Sequence, residues 1–346
     1  MEELTAGFNL TCWYLNLRRV AELVGARELA RELPANGSHD DHWQRLMQLA
    51  AAKRALVSWL HTSRVDTLGQ TIVAKTLKPG RLFTHFGDFY CKGLPTYVYA
   101  RRAGRSVDRP LVYAKLADYG AEQDQLRVPY DPVHLTSQSA YAELSGRRRL
   151  LLFGLVTDLE QQTVLASPYA IASLVDDPFF GEGRWLAHRE VFIDEISNFA
   201  RVDKSVPLHM DDLEILRAIP EKRIKQAFAL IIGEPVVPRD WGGERSDLYS
   251  TMVRMRGERI STAFALKGPA RFEPLKLSGL GKNGDQIDRL FSEPADLLVL
   301  QHCHVIDKSV RSVMRAYAER IGAPRLFCLI DGFDTLRILR DSNKTP

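Results

Sequence analysis

The chain reads as a mixed-sheet α/β domain at its C-terminal end, preceded by a helical N-terminus and a β-rich middle. Three observations carry that expectation. Asp296–Gln301 and Leu326–Asp331 are almost uninterrupted apolar runs, the pattern of strands covered on both faces. The stretch Lys308–Ile321 between them has helical spacing, and strand–helix–strand order implies an α/β arrangement. Upstream, Leu248–Arg254 and Arg259–Leu266 read as strands joined at Arg256-Gly257-Glu258, a hairpin turn in which Gly257 supplies positive φ.

Along the chain, Leu15, Val20, Leu23, Val24 and Leu33 fall near helical spacing, and Trp43, Leu46, Leu49, Leu56 and Leu60 repeat it. Pro34-Ala35-Asn36-Gly37-Ser38 breaks the two segments, with Ser38 and Asp40 as N-cap candidates. Residues 1–68 are therefore expected to be helical. From 69 to 205 the texture turns to short β-branched and aromatic runs: Thr71-Ile72-Val73, Thr96–Tyr99, Leu111–Ala114, Leu150–Phe153 and Thr163–Ala166. Residues 206–346 form the α/β segment. Asp211 or Asp212 can cap a helix running to about Ile232, with Pro220 as a break or a second start, and a short helix is expected from Asp285 to Phe291.

Composition bounds the function classes. Of 346 residues, 45% are apolar and 26% charged, as in globular domains, and no apolar stretch is long enough for a membrane helix. The acidic start Met1-Glu2-Glu3 is unlike a secretory signal, so a cytoplasmic location and no membrane partner are expected. Cys12, Cys91, Cys303 and Cys328 form no CxxC pair, which argues for reduced core thiols over structural zinc. The net charge of +4 permits a nucleic-acid partner, and the arginines gather at Arg101, Arg102 and Arg105 and at Arg147, Arg148 and Arg149. Each cluster lies beside an apolar run, where it reads either as a phosphate contact at a strand end or as a solvated loop.

The densest polar cluster is Asp240–Asp247, followed across the expected hairpin by Lys267. Antiparallel pairing would return Lys267 to the level of Asp247. A lysine closing the apolar strand Ala263-Phe264-Ala265-Leu266 is costly without a partner or a purpose. The bland reading is a cross-strand ion pair. The functional one has Asp247 and Glu244 hold Mg²⁺, or Mn²⁺, while Lys267 orients a water and offsets charge on a phosphate. Gly281–Ile287 then opens a helix with Lys282 at a phosphate-cradling loop, although Asn283 or Asp285 as an ordinary N-cap explains the same residues. His85 and Asp88 read as structural, and Asp331-Gly332-Phe333-Asp334 as a turn or a functional loop. His302 and His304 share a strand face without a clear third ligand.

Residues 210 to 335 resemble the PD-(D/E)xK, or restriction-endonuclease-like, nuclease superfamily in their order of helix, aspartate-bearing strand, lysine-ending strand, helix and strand. The resemblance implies a restriction-endonuclease-like sheet, Asp247 as metal-binding aspartate, Lys267 as catalytic lysine and Gln286 as the polar residue facing the site from the next helix. Ala265-Leu266-Lys267 departs from the pattern, with alanine where an acid is expected. That leaves the second ligand to Glu244 or, failing it, Glu221. The function so implied is a metal-dependent endonuclease acting on DNA, in keeping with restriction or phage defence. Its N-terminal regions would bind substrate or a protein partner, and double-strand cutting would make a homodimer attractive. The alternative is a non-catalytic nucleic-acid-binding or regulatory protein with a degenerate nuclease fold.

Overall fold

The computed structural model describes residues 8–30, 39–116, 119, 124–176, 189–199, 202, 207–235, 237, 245–255, 257–281, 285–321 and 323–342. The chain divides into two compact units: Met1–Ile72 with Thr76–Ala187 and Arg320–Ala323, and Val73–Lys75 with His188–Glu319 and Pro324–Pro346. No helix among the described residues is long and apolar enough to cross a membrane.

The first unit is built on β1 (Phe8–Leu15), β2 (Leu82–Lys92), β3 (Leu111–Lys115), β4 (Gln125–Pro129), β5 (Gly146–Glu160) and β6 (Thr163–Asp176). They pair in the order β1-β6-β4-β3-β2-β5, and β5 also pairs with β6. That extra pairing closes β2, β3, β4, β6 and β5 into a five-stranded barrel. Its rungs are antiparallel except β4 with β6. Closure removes the free edges of the barrel strands, and register shifts at Phe153/Gly154 and Val156/Asp158 bend the two longest strands around it. Gly154 permits the bend, since a Cβ there would lie 3.2 Å from the Ser167 carbonyl.

Period-two alternation sorts the side chains. Phe83, Phe89, Val112, Leu126, Val128, Leu150, Leu152 and Val164 fill the barrel. Leu151 and Phe153, on the other face of β5, pack with Val20 of α1 (Leu17–Val24) and with Ala52, Leu56 and Leu60 of α2 (His39–Thr62). Both faces of β5 are thus covered at Leu150–Phe153, which accounts for its unbroken apolar run.

Several local expectations change here. Residues 8–15 are strand β1, not helix: a long-range pairing with β6 sets their conformation, so the helical and β-rich segments contribute to one unit. Thr71-Ile72-Val73 ends helix α3 (Leu68–Val73). Thr96–Tyr99 lies in helix α4 (Leu94–Arg102), which Gly93 at φ 83° and Pro95 in the first turn start. In α3 Thr67 and Gln70 each accept the other's backbone N–H, and in α4 Gly93 and Pro95 set the start; these ends outweigh the β-branched residues. The break at 34–38 lies outside the described residues.

A short helix α5 (Ala140–Glu143) precedes β5 in the first unit; in the second unit, after a short helical turn at α6 (Glu214–Arg217), Pro220 precedes α7 (Glu221–Ile232). Strands β7 (Leu248–Ser250) and β10 (Thr262–Lys267) pair antiparallel, with the small ribbon β8 (Arg254–Met255) and β9 (Glu258–Arg259) between them in sequence. Gly257 turns that ribbon at φ 87°. Helix α8 (Asp285–Phe291), β11 (Leu297–His302), α9 (Lys308–Ala318), β12 (Leu326–Ile330) and α10 (Gly332–Asp341) follow. The sheet order is β12-β11-β10-β7, parallel across the first three strands. Phe264, Leu266 and Val299 pack with Ile224 and Phe228 of α7 and Leu336 of α10. The alternating Ala263, Ala265, Leu298 and Leu300 are also buried and point to the opposite face.

One buried titratable group gives the barrel a testable acid limit. His85 lies edge-on to Phe89, with ring centroids 5.4 Å apart, and burial pushes its imidazole from 6.5 down to about 4. The unfolded chain therefore takes up this proton first, and stability is lost as pH falls from 6.5 toward 4, by about 3 kcal/mol at most. Urea denaturation of His85→Leu and wild type at pH 7 and pH 4 should show the variant gaining relative stability over that interval. A pH-independent difference would contradict the assignment.

Candidate active site

Strand β10 is hydrogen-bonded on both sides, and its last residue is Lys267. On the β7 side the register pairs Phe264 with Leu248. One residue further, Asp247 N–H donates to the Phe264 carbonyl at 2.8 Å, and Asp247 Oδ2 accepts from Leu266 N–H at 2.6 Å. The aspartate is thereby held beside Ala265, two residues before Lys267, and not level with Lys267 as hairpin pairing was expected to put it, because the register pairs Leu248 with Phe264. On the β11 side Lys267 pairs with His302.

Helix α7 supplies a second carboxylate. Its first residue, Glu221, accepts from Gly268 N–H at 2.8 Å. Close approach is possible only because residue 268 is glycine: a Cβ there would collide with the Glu221 side chain and come within 2.9 Å of its Cα. One turn on, Lys225 is 4% exposed within the stripe Ile224, Phe228, Ala229 and Ile232, and its charge acts on Asp247. Helix α8 lies against β10, and Asp285 and Arg289 act on the charge of Lys267. From the same helix Gln286 contributes an Oε1 that is buried and without a hydrogen-bond partner among the described residues.

Burial pushes the Asp247 carboxyl up from its ordinary value. The Leu266 N–H and the charges of Lys267 and Lys225 oppose that shift, while Glu221 adds to it. Burial likewise pushes Lys267 down, against the pull of Asp247 and Glu221. Each group is moved toward its neutral form, the condition that suits side chains which exchange protons. His302 is also lowered by burial, and its Nε2 lies 2.9 Å from the Glu273 carbonyl. Beside these groups opens a cavity of about 500 Å³ lined by Glu221, Lys267, Gly268, Arg271, Lys276 and His302 among others.

The structure thus brings together Asp247, Lys267 and Glu221, with Gln286 on the adjoining helix. Glu244 and Lys282 lie outside the described residues. The arginine clusters are elsewhere, in the barrel unit. Arg101 and Arg102 end α4 and Arg105 follows it, 5.5 Å over the Tyr99 ring, so of the two sequence readings, strand end or solvated loop, the strand end is not found: the cluster sits at a helix end. All three are exposed. Arg147 pairs with Asp88 at 2.7 Å, Arg148 lies 3.7 Å from Glu143, and Arg149 lies over Phe86. Sequence reasoning missed Lys225 and Gly268, and weighed His302 only as one of two histidines on a strand face. Lys225 had left a sign, a lysine in the apolar stripe of an amphipathic helix.

Asp247 and Glu221 are oxygen donors of the type a hard divalent cation takes. Asp247 and Glu221 each commit one oxygen to a backbone N–H and keep another, and Mg²⁺ usually takes one or two carboxylates and retains several waters. Among the described residues no group of three or more His, Cys, Asp and Glu is placed to hold a metal ion, so a fuller protein cage is not present there. Comparison of the chain with protein-family models, with curated proteins and with solved structures returns no match.

Gly268→Ala should destabilise the protein by about 1–3 kcal/mol, because the backbone of Glu221 must move to admit the methyl group. Equilibrium denaturation measures this directly. A neutral Gly268→Ala would show that α7 does not rest on β10 as described.

Proposed function

We propose that the protein is a metal-dependent nuclease hydrolysing phosphodiester bonds, with DNA as its substrate, and that residues 210 to 335 are a restriction-endonuclease-like unit. The observation that supports the reading most is the pairing of β7 with β10, which sets Asp247 beside the chain position two before Lys267. The order α7, β7, β10, α8, β11 and the parallel run from β10 to β12 agree with it.

In this reading Asp247 and Glu221 hold the cation, Glu221 taking the role that Ala265 cannot fill. A bound Mg²⁺ or Mn²⁺ supplies Lewis acidity at the phosphate. Lys267, fixed by β10 and depressed in basicity, places an ammonium where charge develops on the phosphate oxygens. Gln286 offers its buried carbonyl oxygen as an acceptor that can orient a water. The 500 Å³ cavity next to Lys267 gives room for the group being cut, with Arg271 and Lys276 on its wall.

A second reading, a nucleic-acid-binding or regulatory protein with an inactive site, is favoured by Ala265 and by the small number of carboxylates at the site.

Asp247→Asn, Lys267→Met and Glu221→Gln should each lower Mg²⁺-dependent cleavage of plasmid or oligonucleotide by roughly 100-fold or more, and EDTA should abolish it. Wild-type rates in folded Asp247→Asn and Lys267→Met would refute the site. No cleavage by the wild type with either metal would favour the second reading.

The two shifts also set the pH profile. At sub-saturating Mg²⁺ a proton competes with the cation for the Asp247 carboxyl, which burial makes easier to protonate, so cleavage should climb with pH as that carboxylate ionises. Lys267 must stay protonated and its pKa is lowered, so the alkaline fall should begin below the ordinary lysine's 10.5. A rate unchanged across both limbs would exclude these two groups.

A further inference from the structure

We propose that the outer face of the barrel, across β5, β2, β3 and β4, is a binding surface for single-stranded nucleic acid. The surface belongs to the first unit and does not depend on the cleavage chemistry assigned above.

The strand registers place four residues in one cross-strand row. Arg147 of β5 pairs with Tyr90 of β2, Tyr90 with Tyr113 of β3, and Tyr113 with Arg127 of β4. Directly opposed residues share a face of the sheet, so the row spans three strand spacings, about 14 Å. It is the outward face, because the alternating neighbours Phe89, Cys91, Val112, Ala114, Leu126 and Val128 are all buried. The two tyrosine rings are stacked, with centroids 5.2 Å apart and planes 19° from parallel. Lys92 Nζ lies 4.9 Å from the Tyr113 ring centroid, and the Arg147 guanidinium 6.0 Å from that of Tyr90. Further along β2 and β5 on the same face, Arg149 sits 4.9 Å over Phe86.

Half-buried aromatic rings ringed by exposed cations have a definite chemical complement. Arg127, Arg147, Arg149 and Lys92 are exposed on this face, where β2 contributes one acid, Asp88, already paired to Arg147. The ligand must therefore be anionic and must offer planar groups to the rings. In a duplex the bases are stacked on one another, and only their edges line the grooves. A single strand presents base faces for stacking and a phosphate chain for the cations, the combination that aromatic-and-basic grooves accept. The β2–β3 connection carries three more cations, Arg101, Arg102 and Arg105, all exposed. An acidic polypeptide would satisfy the cations but leave the paired rings without a function, which makes it the weaker occupant.

The test uses the full chain in EDTA, so that no metal-dependent cleavage consumes the probe. Fluorescence anisotropy with labelled oligo-dT, oligo-U and a DNA duplex of equal length should show at least one single strand bound about tenfold or more tighter than the duplex. Tyr90→Ala and Tyr113→Ala should each weaken single-strand binding about tenfold, whereas Tyr90→Phe and Tyr113→Phe should retain it, since stacking needs the ring and not the hydroxyl. Arg127→Glu should weaken binding and reduce the salt dependence by about one phosphate contact. The oligo-dT and oligo-U arms distinguish a DNA from an RNA ligand. Equal affinity for duplex and single strand, unchanged binding by folded Tyr→Ala variants, or equal displacement by polyglutamate would overturn the proposal. Because binding is read in EDTA and every variant here lies in the barrel, a failed cleavage assay and a failed binding assay remain separate results.

Discussion

The second unit depends on the double pairing of β10. That strand is hydrogen-bonded to β7 on one side and to β11 on the other, and its first five residues are buried. A backbone so constrained cannot slip by one residue without turning Phe264 and Leu266 out of the core. The same constraint fixes where its one charged residue emerges. Lys267 comes out at the strand's end beside His302, with Asp247 tied to Leu266 and Glu221 tied to Gly268. Two backbone N–H groups next to the lysine are thus capped by the carboxylates that also hold its charge.

A different constraint, closure, organises the barrel. Pairing of β5 with β6 forces their long strands to bend, and the register shifts and Gly154 absorb that bend. Once the barrel is closed, strict alternation separates a dry interior from an outer surface, and the outer surface is divided. Part of it, at Leu151 and Phe153, is covered by α1 and α2, while the row through Tyr90 and Tyr113 keeps its aromatic and basic side chains on the surface. Tyrosine and arginine tolerate this position because each has an apolar body and a polar end.

Legibility in the sequence followed how local the determinants are. Strands β10, β11 and β12 were visible because burial on both faces leaves continuous apolar runs, and α8 began at Asp285 as expected. The ribbon turn at Gly257 was visible because positive φ selects glycine. Strand β1 was not, since its conformation comes from β6, more than 150 residues away. Helices α3 and α4 were missed because β-branched and aromatic residues outweighed the start signals, Thr67 and Gln70 for α3 and Gly93 and Pro95 for α4. At the site, Asp247 and Lys267 could be found from a hairpin argument. The preference for Glu244 over Glu221 could not be resolved, because Glu221 reaches the lysine only through the packing of α7 against Gly268, which no spacing rule encodes. Barrel closure and the Arg147–Tyr90–Tyr113–Arg127 row are likewise products of registers between distant strands.

In the function proposed above, two carboxylates of different elements, Asp247 and Glu221, share one cation beside Lys267. Anomalous diffraction from crystals soaked in Mn²⁺ tests it most directly. One strong peak is expected in contact with a carboxylate oxygen of each residue, at roughly the 2.0–2.2 Å of a hard-cation ligand bond, and it should be lost in Asp247→Asn. A Mn²⁺ peak bound elsewhere in the unit, or none beside Asp247 and Glu221, would contradict it.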